Sequence, residues 1–273
     1  MIGIVNRMLS AAVDGLMRPL RTESPWPGML ALSLLAAVVV LAIVKLTANA
    51  AEVRRRRDRM VACILEMALF RDDPVLTLDA LRRALVANGA YLRKLIVPFL
   101  AGLIPMALLT VQIHDWFAYR PLRSGETAIL TARLADGADP QAVAELITSA
   151  NLAVDSEPVH AAQRREISWR LRAGQAGPGW VEVDIGKSMS TKAVAVGRGV
   201  GRSPTVRAAG TLARILYPSE PPLPADGLIR SITVGYSPQE FRIGNVGLNW
   251  LAAFLLCSLL FAGLLMRPMR VTI

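Results

Sequence analysis

Side chains that could carry out chemistry are few in this 273-residue chain, and they form no recognisable set. The two histidines, His114 and His160, lie in different regions, and no group of Cys, His and Asp residues has the spacing of metal ligands. Ser188 and Ser190 lack the flanking residues that mark a nucleophilic serine. We therefore expect no enzymatic activity, no catalytic residue, no metal and no cofactor.

A glycine-rich segment, Gly-Arg-Gly-Val-Gly-Arg-Ser at 197–203, is the pattern most similar to an anion-binding loop. The backbone N–H groups of such loops can surround a phosphate. However, the spacing of Gly197, Gly199 and Gly201 fits neither the dinucleotide-binding fingerprint nor the P-loop. We interpret the segment as a flexible loop, with anion binding as the alternative.

Three long apolar segments are the main structural feature of the sequence. Segments 28–44, 95–113 and 246–266 carry no charged residue over 17, 19 and 21 positions, and each would extend roughly 30 Å as a helix. The chain is 53% hydrophobic with a mean hydropathy of +0.41, which exceeds what one soluble core needs. We predict transmembrane helices at 25–46, 95–118 and 246–266, and this excludes an ordinary soluble domain.

The distribution of charge predicts how these helices are oriented. The net charge is +10, and positions 45–94 hold eleven Lys or Arg against six Asp or Glu. Because short basic loops stay in the cytoplasm, we place 47–94 and the tail 267–273 inside. The N-terminus and the long segment 119–245 then lie outside. The basic charge is explained by this distribution, so we expect no specific DNA binding.

The basic loop is predicted to form an antiparallel helical hairpin, each arm continuous with a span. Asp72, Asp73 and Pro74 are typical of a helix end followed by a new helix start. After them, apolar residues recur with the spacing of a coiled-coil seam that also contains Asn88. The seam residues are Leu78, Leu81, Leu85, Asn88, Leu92 and Leu95.

The remaining segments predict an amphipathic helix and an outer domain. Residues 1–24 place apolar side chains on one helical face; this helix would lie along the membrane interface or pack on the outer domain. Segment 119–245 is predicted to be an α+β domain with a hairpin turn at 174–179. The predicted elements are strands 127–134, 166–172, 180–185, 192–196 and 228–236, and a helix 140–149 capped by Asp139.

Two groups of polar residues are candidates for function. The first is a basic run that would contact anionic lipid or ribosomal RNA, or that would only fix topology. The second is a set of polar residues at the edges of the spans that would line a hydrophilic groove, unless snorkelling and helix–helix hydrogen bonds explain them. The run consists of Arg54, Arg55, Arg56, Arg57 and Arg59, and the groove candidates are Lys45, Asn49 and Gln112.

The order of elements resembles the YidC/Oxa insertase superfamily, particularly its three-span members such as the insertase-like subunit of the ER membrane complex. The resemblance covers 1–118 and 246–266, and the outer domain departs from it by separating the second and third spans. It implies a polar groove that is open to the cytoplasm and receives short hydrophobic segments captured by the hairpin. Bacterial insertases of this superfamily keep an arginine in their first core span, and segment 28–44 contains none. The resemblance therefore implies that Lys45, Asn49 or Gln112 supplies the groove residue.

Short pieces of the chain are also similar to a set of uncharacterised bacterial membrane proteins. These pieces are Leu69-Phe70-Arg71-Asp72-Asp73, Tyr119-Arg120-Pro121-Leu122, Gly125-Glu126 and Val271-Thr272-Ile273. This similarity implies the bacterial inner membrane as the location, with a periplasmic outer domain.

Together these resemblances favour a non-catalytic, insertase-like protein that assists the insertion or assembly of membrane proteins. The expected partners are membrane lipids and other membrane proteins, with the ribosome as a further candidate. The alternative is an accessory or scaffold subunit of a larger membrane complex, such as a bioenergetic one. Three spans alone enclose little, so lateral partners are expected in either case.

Overall fold

The computed structural model describes residues 2–47, 50–69, 74–186 and 188–269. The chain forms two compact units: one comprises 1–30 and 108–254, the other 31–107 and 255–273. The helices are α1 (Ile2–Met17), α2 (Trp26–Thr47), α3 (Ala50–Leu69), α4 (Pro74–Phe117), α5 (Ala213–Leu216) and α6 (Trp250–Met266). The strands are β1 (Thr127–Leu134), β2 (Ala144–Thr148), β3 (Leu152–Val154), β4 (Val159–Ala161), β5 (Glu166–Ala173), β6 (Gly177–Ile185), β7 (Ser188–Val196), β8 (Val206–Ala208), β9 (Ile229–Val234), β10 (Phe241–Ile243) and β11 (Val246–Leu248).

Two of the described helices are long and apolar enough to cross a membrane. One is α2, with 22 residues, and the other is the 40-residue part of α4 from Leu78 to Phe117. Apolar side chains dominate both helices, and helices of this length extend beyond the roughly 30 Å of a hydrocarbon layer. The structure thus provides two helices of membrane-spanning length and composition at the positions of the first and second predicted spans.

The third apolar segment is shorter as a helix than predicted. Residues 246–248 form β11, which pairs with β10, so the helix begins only at Trp250. Asn249 ends the strand and caps the helix, because its Oδ1 accepts a hydrogen bond from the N–H of Leu251 at 2.9 Å. The resulting α6 has 17 residues and extends about 25 Å.

In the hairpin formed by α3 and the first part of α4, the leucines of the predicted seam that the structure describes are exposed rather than packed. Leu78 and Leu85 are 67% and 63% exposed, whereas Ala80 and Ala84 of α4 are buried. Helices α3 and α4 are linked by an ion pair between Glu66 and Arg83 at 3.1 Å. The predicted break at residues 72 and 73 lies outside the described residues, but α4 begins at Pro74 as expected.

The outer domain is a two-sheet structure with a single apolar core. One antiparallel sheet has the order β3-β5-β1-β9-β8, with β4 also paired to β5, and a second has the order β2-β6-β7. Alternate residues are buried in the long strands β1, β5, β6 and β7; in β1, Ala128, Leu130, Ala132 and Leu134 all point inward. The predicted strands are confirmed, with shifts of a few residues at their ends.

Two predictions for this domain are wrong. The predicted helix 140–149 is a turn followed by β2, in which Asp139 accepts a hydrogen bond from the N–H of Gln141 at 2.9 Å. Strand β2 pairs with β6 along its whole length, and this sheet pairing overrides the helical preference of its residues. The predicted hairpin turn 174–179 instead connects β5 and β6, which belong to different sheets. The domain is therefore sheet-rich rather than α+β.

The beginning and end of the outer domain lie side by side. Tyr119 forms an antiparallel bridge with Pro238. On either side of it, the N–H of Arg120 donates to the carbonyl of Ser237 at 3.1 Å, and the N–H of Gln239 donates to the carbonyl of Ala118 at 3.0 Å. The domain is thus closed at its base directly after α4.

Candidate functional site

The N-terminal helix packs on the outer domain, which was the second of the two placements considered from the sequence. Val13 and Met17 are buried, and α1 contacts α5. Met17 lies where Gly28 leaves room for it, since a Cβ on Gly28 would be 2.6 Å from the Met17 Cε and 3.1 Å from Phe117. Apolar packing therefore fixes α1 between the start of α2 and the end of α4.

A chain of polar contacts, which we call the junction network, joins α1 to the end of α4 through the outer domain. It consists of Asp14, Arg202, Ser219 and Asp115. Arg202 donates from Nη1 to Asp14 Oδ2 at 2.8 Å and from Nε to Ser219 Oγ at 3.0 Å. Ser219 in turn donates to Oδ2 of Asp115, a residue that is 4% exposed. Because charge-assisted hydrogen bonds are directional, the network sets the orientation of α1.

A second ion pair, Lys192 with Glu220, lies next to the junction network. The Lys192 side chain is fully buried; its Nζ donates to Glu220 and to the carbonyl of Pro204 at 2.6 Å. Glu220 also accepts the N–H of Ala193 at 2.7 Å. Burial lowers the pKa of Lys192, and the carboxylate of Glu220 opposes this shift. The pair is therefore a fully desolvated contact in which each charge depends on the other.

Aromatic and amide groups at the end of α4 extend this buried region. The ring of His114 lies edge-on to Tyr119 and Trp250, with centroids 5.7 and 5.6 Å away, and its Nδ1 is 3.1 Å from Asp115 Oδ1. Gln112 is buried and accepts a hydrogen bond from Ser10 Oγ at 2.7 Å. The last turns of α4 are thus held by specific contacts on several sides.

A clasp at the base of the outer domain is formed by Arg120 and Glu126. The two guanidinium nitrogens of Arg120 donate to Glu126 at 2.7 and 2.9 Å. Glu126 also accepts the N–H of Arg123 at 2.8 Å and the hydroxyl of Ser237 at 3.0 Å. These hydrogen bonds, that with Arg120 foremost, lower the pKa of Glu126 to about 2. The clasp brings together two of the short sequence pieces quoted above.

The glycine-rich loop is anchored to the segment before α2, which corrects its interpretation as flexible. Gly199 adopts a φ of +78°, and a Cβ there would lie 2.6 Å from the carbonyl oxygen of Thr22. The N–H of Val200 donates to that carbonyl at 3.0 Å, and the N–H of Ser203 donates to the carbonyl of Asp115 at 2.7 Å. The glycine is needed because only it tolerates both this φ and this close approach.

The predicted groove residues are found in different settings. Lys45 is exposed in the last turn of α2, and Gln112 is buried against Ser10. Asn49 lies outside the described residues. The hydrogen bond to Ser10 gives Gln112 a structural role, so the groove stays a prediction.

The arginine run lies in α3. Arg55, Arg57 and Arg59 have exposed side chains, and the Nε of Arg57 is 3.8 Å from Asp58. Arg54 and Arg56 belong to the same helix, but their side chains are outside the described part of the structure. The contact of these arginines with anionic lipid or RNA stays a prediction.

The junction network and the Lys192 pair were missed in the sequence. The sequence does indicate that Lys192 is buried. It lies two and four residues before Val194 and Val196 in β7, so it shares their face of the strand, which points into the core. A lysine at such a position requires a buried partner. Asp14 and Arg202 carried no comparable signal, since their pairing joins distant parts of the chain.

These groups hold separate segments of the chain in position. Every charged member of the network is tied to an opposite charge or a hydroxyl. Within the ranges that the structure describes, no three His, Cys, Asp or Glu side chains are grouped so as to hold a metal ion. Fold and site together define a class: a protein with two helices of membrane-spanning length and a sheet-rich domain. Comparisons with known protein families, with curated proteins and with solved structures find no match for this chain.

Proposed function

We propose that this chain is a non-catalytic, insertase-like protein of the bacterial inner membrane that assists other membrane proteins to insert or assemble. The observation that supports this proposal is an exposed apolar stripe on the hairpin helix α4. Leu78, Leu85, Val86 and Leu92 are all more than half exposed, and they lie in the first part of the long apolar segment of α4 that begins at Leu78. An exposed apolar surface of this kind favours contact with another apolar chain.

The continuity of α4 suggests how such a surface would work. The helix runs for 44 residues without interruption, so a client that binds the stripe is led directly towards the bilayer. Pro98 and Pro105 lie inside the membrane-length part, and each removes a backbone hydrogen bond within the helix. The carbonyls freed in this way supply polar groups at membrane depth without a charged side chain.

The proposal includes an orientation. The hairpin with its arginine run lies in the cytoplasm, and the N-terminus and the sheet-rich domain lie in the periplasm. The basic residues of α3 support this, because positive charge is retained on the cytoplasmic side. Reporter fusions at positions near 80 and 180 test the orientation, since they should report opposite compartments. Fusions that report the same compartment would contradict it.

Reconstitution provides the functional test. Liposomes that contain the full chain should insert hydrophobic single-span clients more efficiently than empty liposomes. Leu78→Gln with Leu85→Gln should remove most of this gain without unfolding the protein, because both side chains are exposed. Leu212→Gln with Leu216→Gln, at exposed positions of the outer domain, is the matched control and should keep full activity. Equal insertion with and without the protein would remove the proposal.

An accessory or scaffold role is the second candidate function. It is favoured by the junction network, which gives the outer domain a fixed attachment to the end of α4. A docking subunit needs such a rigid platform more than a client-handling protein does. Purification in mild detergent separates the two roles. A stoichiometric complex with fixed companions supports the scaffold, whereas transient association with ribosomes or nascent chains supports the insertase.

A further inference from the structure

A polar cavity of about 410 Å³ lies between the glycine-rich loop and the base of the outer domain. Three arginines from two segments of the chain converge on it, together with one carboxylate and one amide. The residues that matter here are Glu23, Arg120, Arg123, Arg198, Gly199 and Gln239. The nature of these side chains points to an anionic ligand.

A second cavity of about 540 Å³ adjoins the first and shares Arg120, Arg123 and Gln239 with it. Trp26 and Arg242 contribute to its wall. Trp26 is the first residue of α2 and packs edge-on against Phe241, with centroids 5.4 Å apart. The two cavities thus form one surface at the point where the first apolar helix begins, and a tryptophan at such a point is typical of the headgroup boundary.

The charges of this surface are not all compensated within the protein. Arg120 is held by Glu126, and Arg242 is paired with Glu240 at 2.6 Å. Arg123 and Arg198 have exposed side chains, and neither forms an ion pair with another residue in the described part of the chain. Two guanidinium groups therefore remain available beside the paired ones.

The backbone around these two arginines is fixed before any ligand arrives. Arg198 precedes Gly199, whose close approach to Thr22 anchors the loop. The N–H of Arg123 is bonded to Glu126, which is itself held by Arg120. Because the backbones are preorganised, binding costs mainly the ordering of two side chains.

We propose that this surface binds the phosphate of an anionic phospholipid in the leaflet next to the outer domain. Arg123 and Arg198 contact the phosphate, because guanidinium groups match the geometry of phosphate oxygens. Trp26 lies against the glycerol region, and the acyl chains continue along the apolar start of α2. The inference rests on the membrane placement in the proposed function, but it does not depend on insertase activity.

Photocrosslinking tests the site in the full-length protein. The protein is placed in phosphatidylcholine nanodiscs that contain a minor fraction of a phosphatidylglycerol analogue with a diazirine near its headgroup. After irradiation, peptide mapping by mass spectrometry should find adducts within 20–26, 119–126 and 197–203. The corresponding phosphatidylcholine analogue should give clearly fewer adducts there. Equal labelling by the two analogues would overturn recognition of the anionic lipid.

Paired variants then assign the adducts to the two arginines. Arg123→Gln with Arg198→Gln should lower the adduct yield in these peptides roughly thirtyfold, from a loss of about 1 kcal/mol for each of the two basic residues. Arg133→Gln with Arg170→Gln, at exposed positions of β1 and β5, should leave the yield unchanged. An equal yield in both variants would overturn the proposal. All variants change exposed side chains, and an unchanged thermal midpoint will verify their folding.

Two further arms separate the possible failures. Inorganic phosphate at matched ionic strength should not suppress the adducts; suppression would assign the surface to free phosphate and overturn the lipid proposal. An analogue with its diazirine in the acyl chain should label α2 and α4. If α2 and α4 are labelled but the peptides within 20–26, 119–126 and 197–203 carry no adducts, the lipid site is rejected and the membrane placement is retained. Absence of labelling from both helices would reject the membrane placement as well.

Discussion

Nη1 of Arg202 donates a hydrogen bond to Oδ2 of Asp14 at 2.8 Å and so joins residues that are 188 positions apart in the chain. The N-terminal helix can form this contact only after the outer domain has folded, because Arg202 belongs to that domain. Arg202 also contacts Ser219, which donates to Asp115 near the end of α4. The attachment of α1 therefore depends on the folded outer domain.

The first prediction concerns this attachment. Arg202→Ala should release α1 from the outer domain, because Asp14 loses its ion-pair partner and Ser219 loses a donor. We expect a loss of about 1–2 kcal/mol, since both side chains retain some contact with solvent. Hydrogen exchange measured by mass spectrometry should become faster in α1 and stay unchanged in β1 and β5. Arg198→Ala, in the same loop but exposed, should leave α1 protected.

The second prediction concerns the buried pair of Lys192 and Glu220. Lys192→Met should destabilise the outer domain by about 3–5 kcal/mol, because it leaves a buried carboxylate without its cation. Adding Glu220→Gln should restore most of the stability, since the double variant carries no buried charge. Thermal and urea unfolding followed by tryptophan fluorescence will measure both changes. If the double variant is less stable than Lys192→Met alone, the charge explanation is wrong.

The third prediction is a pH dependence from the clasp. The pKa of Glu126 is lowered from its ordinary 4.5 to about 2. The stabilisation is therefore fully present above pH 4.5 and is lost as the pH falls from 4.5 towards 2. Solvent exposure reduces its magnitude to about 2 kcal/mol.

The variant Glu126→Gln isolates this contribution. It should be less stable than the parent at neutral pH, and most of the difference should be lost by pH 2, because the parent carboxyl is then about half protonated. Glu157→Gln, at an exposed position of the outer domain, should behave like the parent at every pH. Unfolding midpoints between pH 2 and 7 will show whether the two curves converge. Parallel curves across this range would argue against the clasp.

The fourth prediction separates two glycines of one loop. Gly199→Ala should destabilise the protein by about 1–3 kcal/mol, because Gly199 has a φ of +78° and its added Cβ would meet the Thr22 carbonyl at 2.6 Å. Gly197→Ala should be nearly neutral, since no atom lies within 4 Å of a Cβ at that position. Thermal midpoints of the two variants provide the measurement. Equal effects would indicate that the loop is free rather than anchored.

Local patterns in the sequence predicted most of the elements. Uncharged runs located α2 and the long apolar part of α4, and alternation located β1 and β5. The start of α4 at Pro74 followed from the fixed φ of proline. These features succeed because the information that decides them lies within a few residues.

The errors arose where distant pairing decides the structure. Segment 144–148 became a strand because β6 supplies its hydrogen bonds, and the third apolar segment lost its first residues to β11. The leucine spacing of α4 fitted a seam, but Leu78 and Leu85 are exposed, while Ala80 and Ala84 are buried. Likewise, the junction network depends on tertiary contacts between segments that no local pattern relates.

The paired ends of the outer domain have a consequence for its evolutionary history. Since Ala118 and Gln239 are hydrogen-bonded neighbours, the chain leaves and rejoins the helical part at almost one point. A folded module with adjoining termini can be gained, lost or exchanged by a single recombination event without rerouting its host. The same geometry means that a short linker in place of residues 120–237 would need to join ends that already lie side by side.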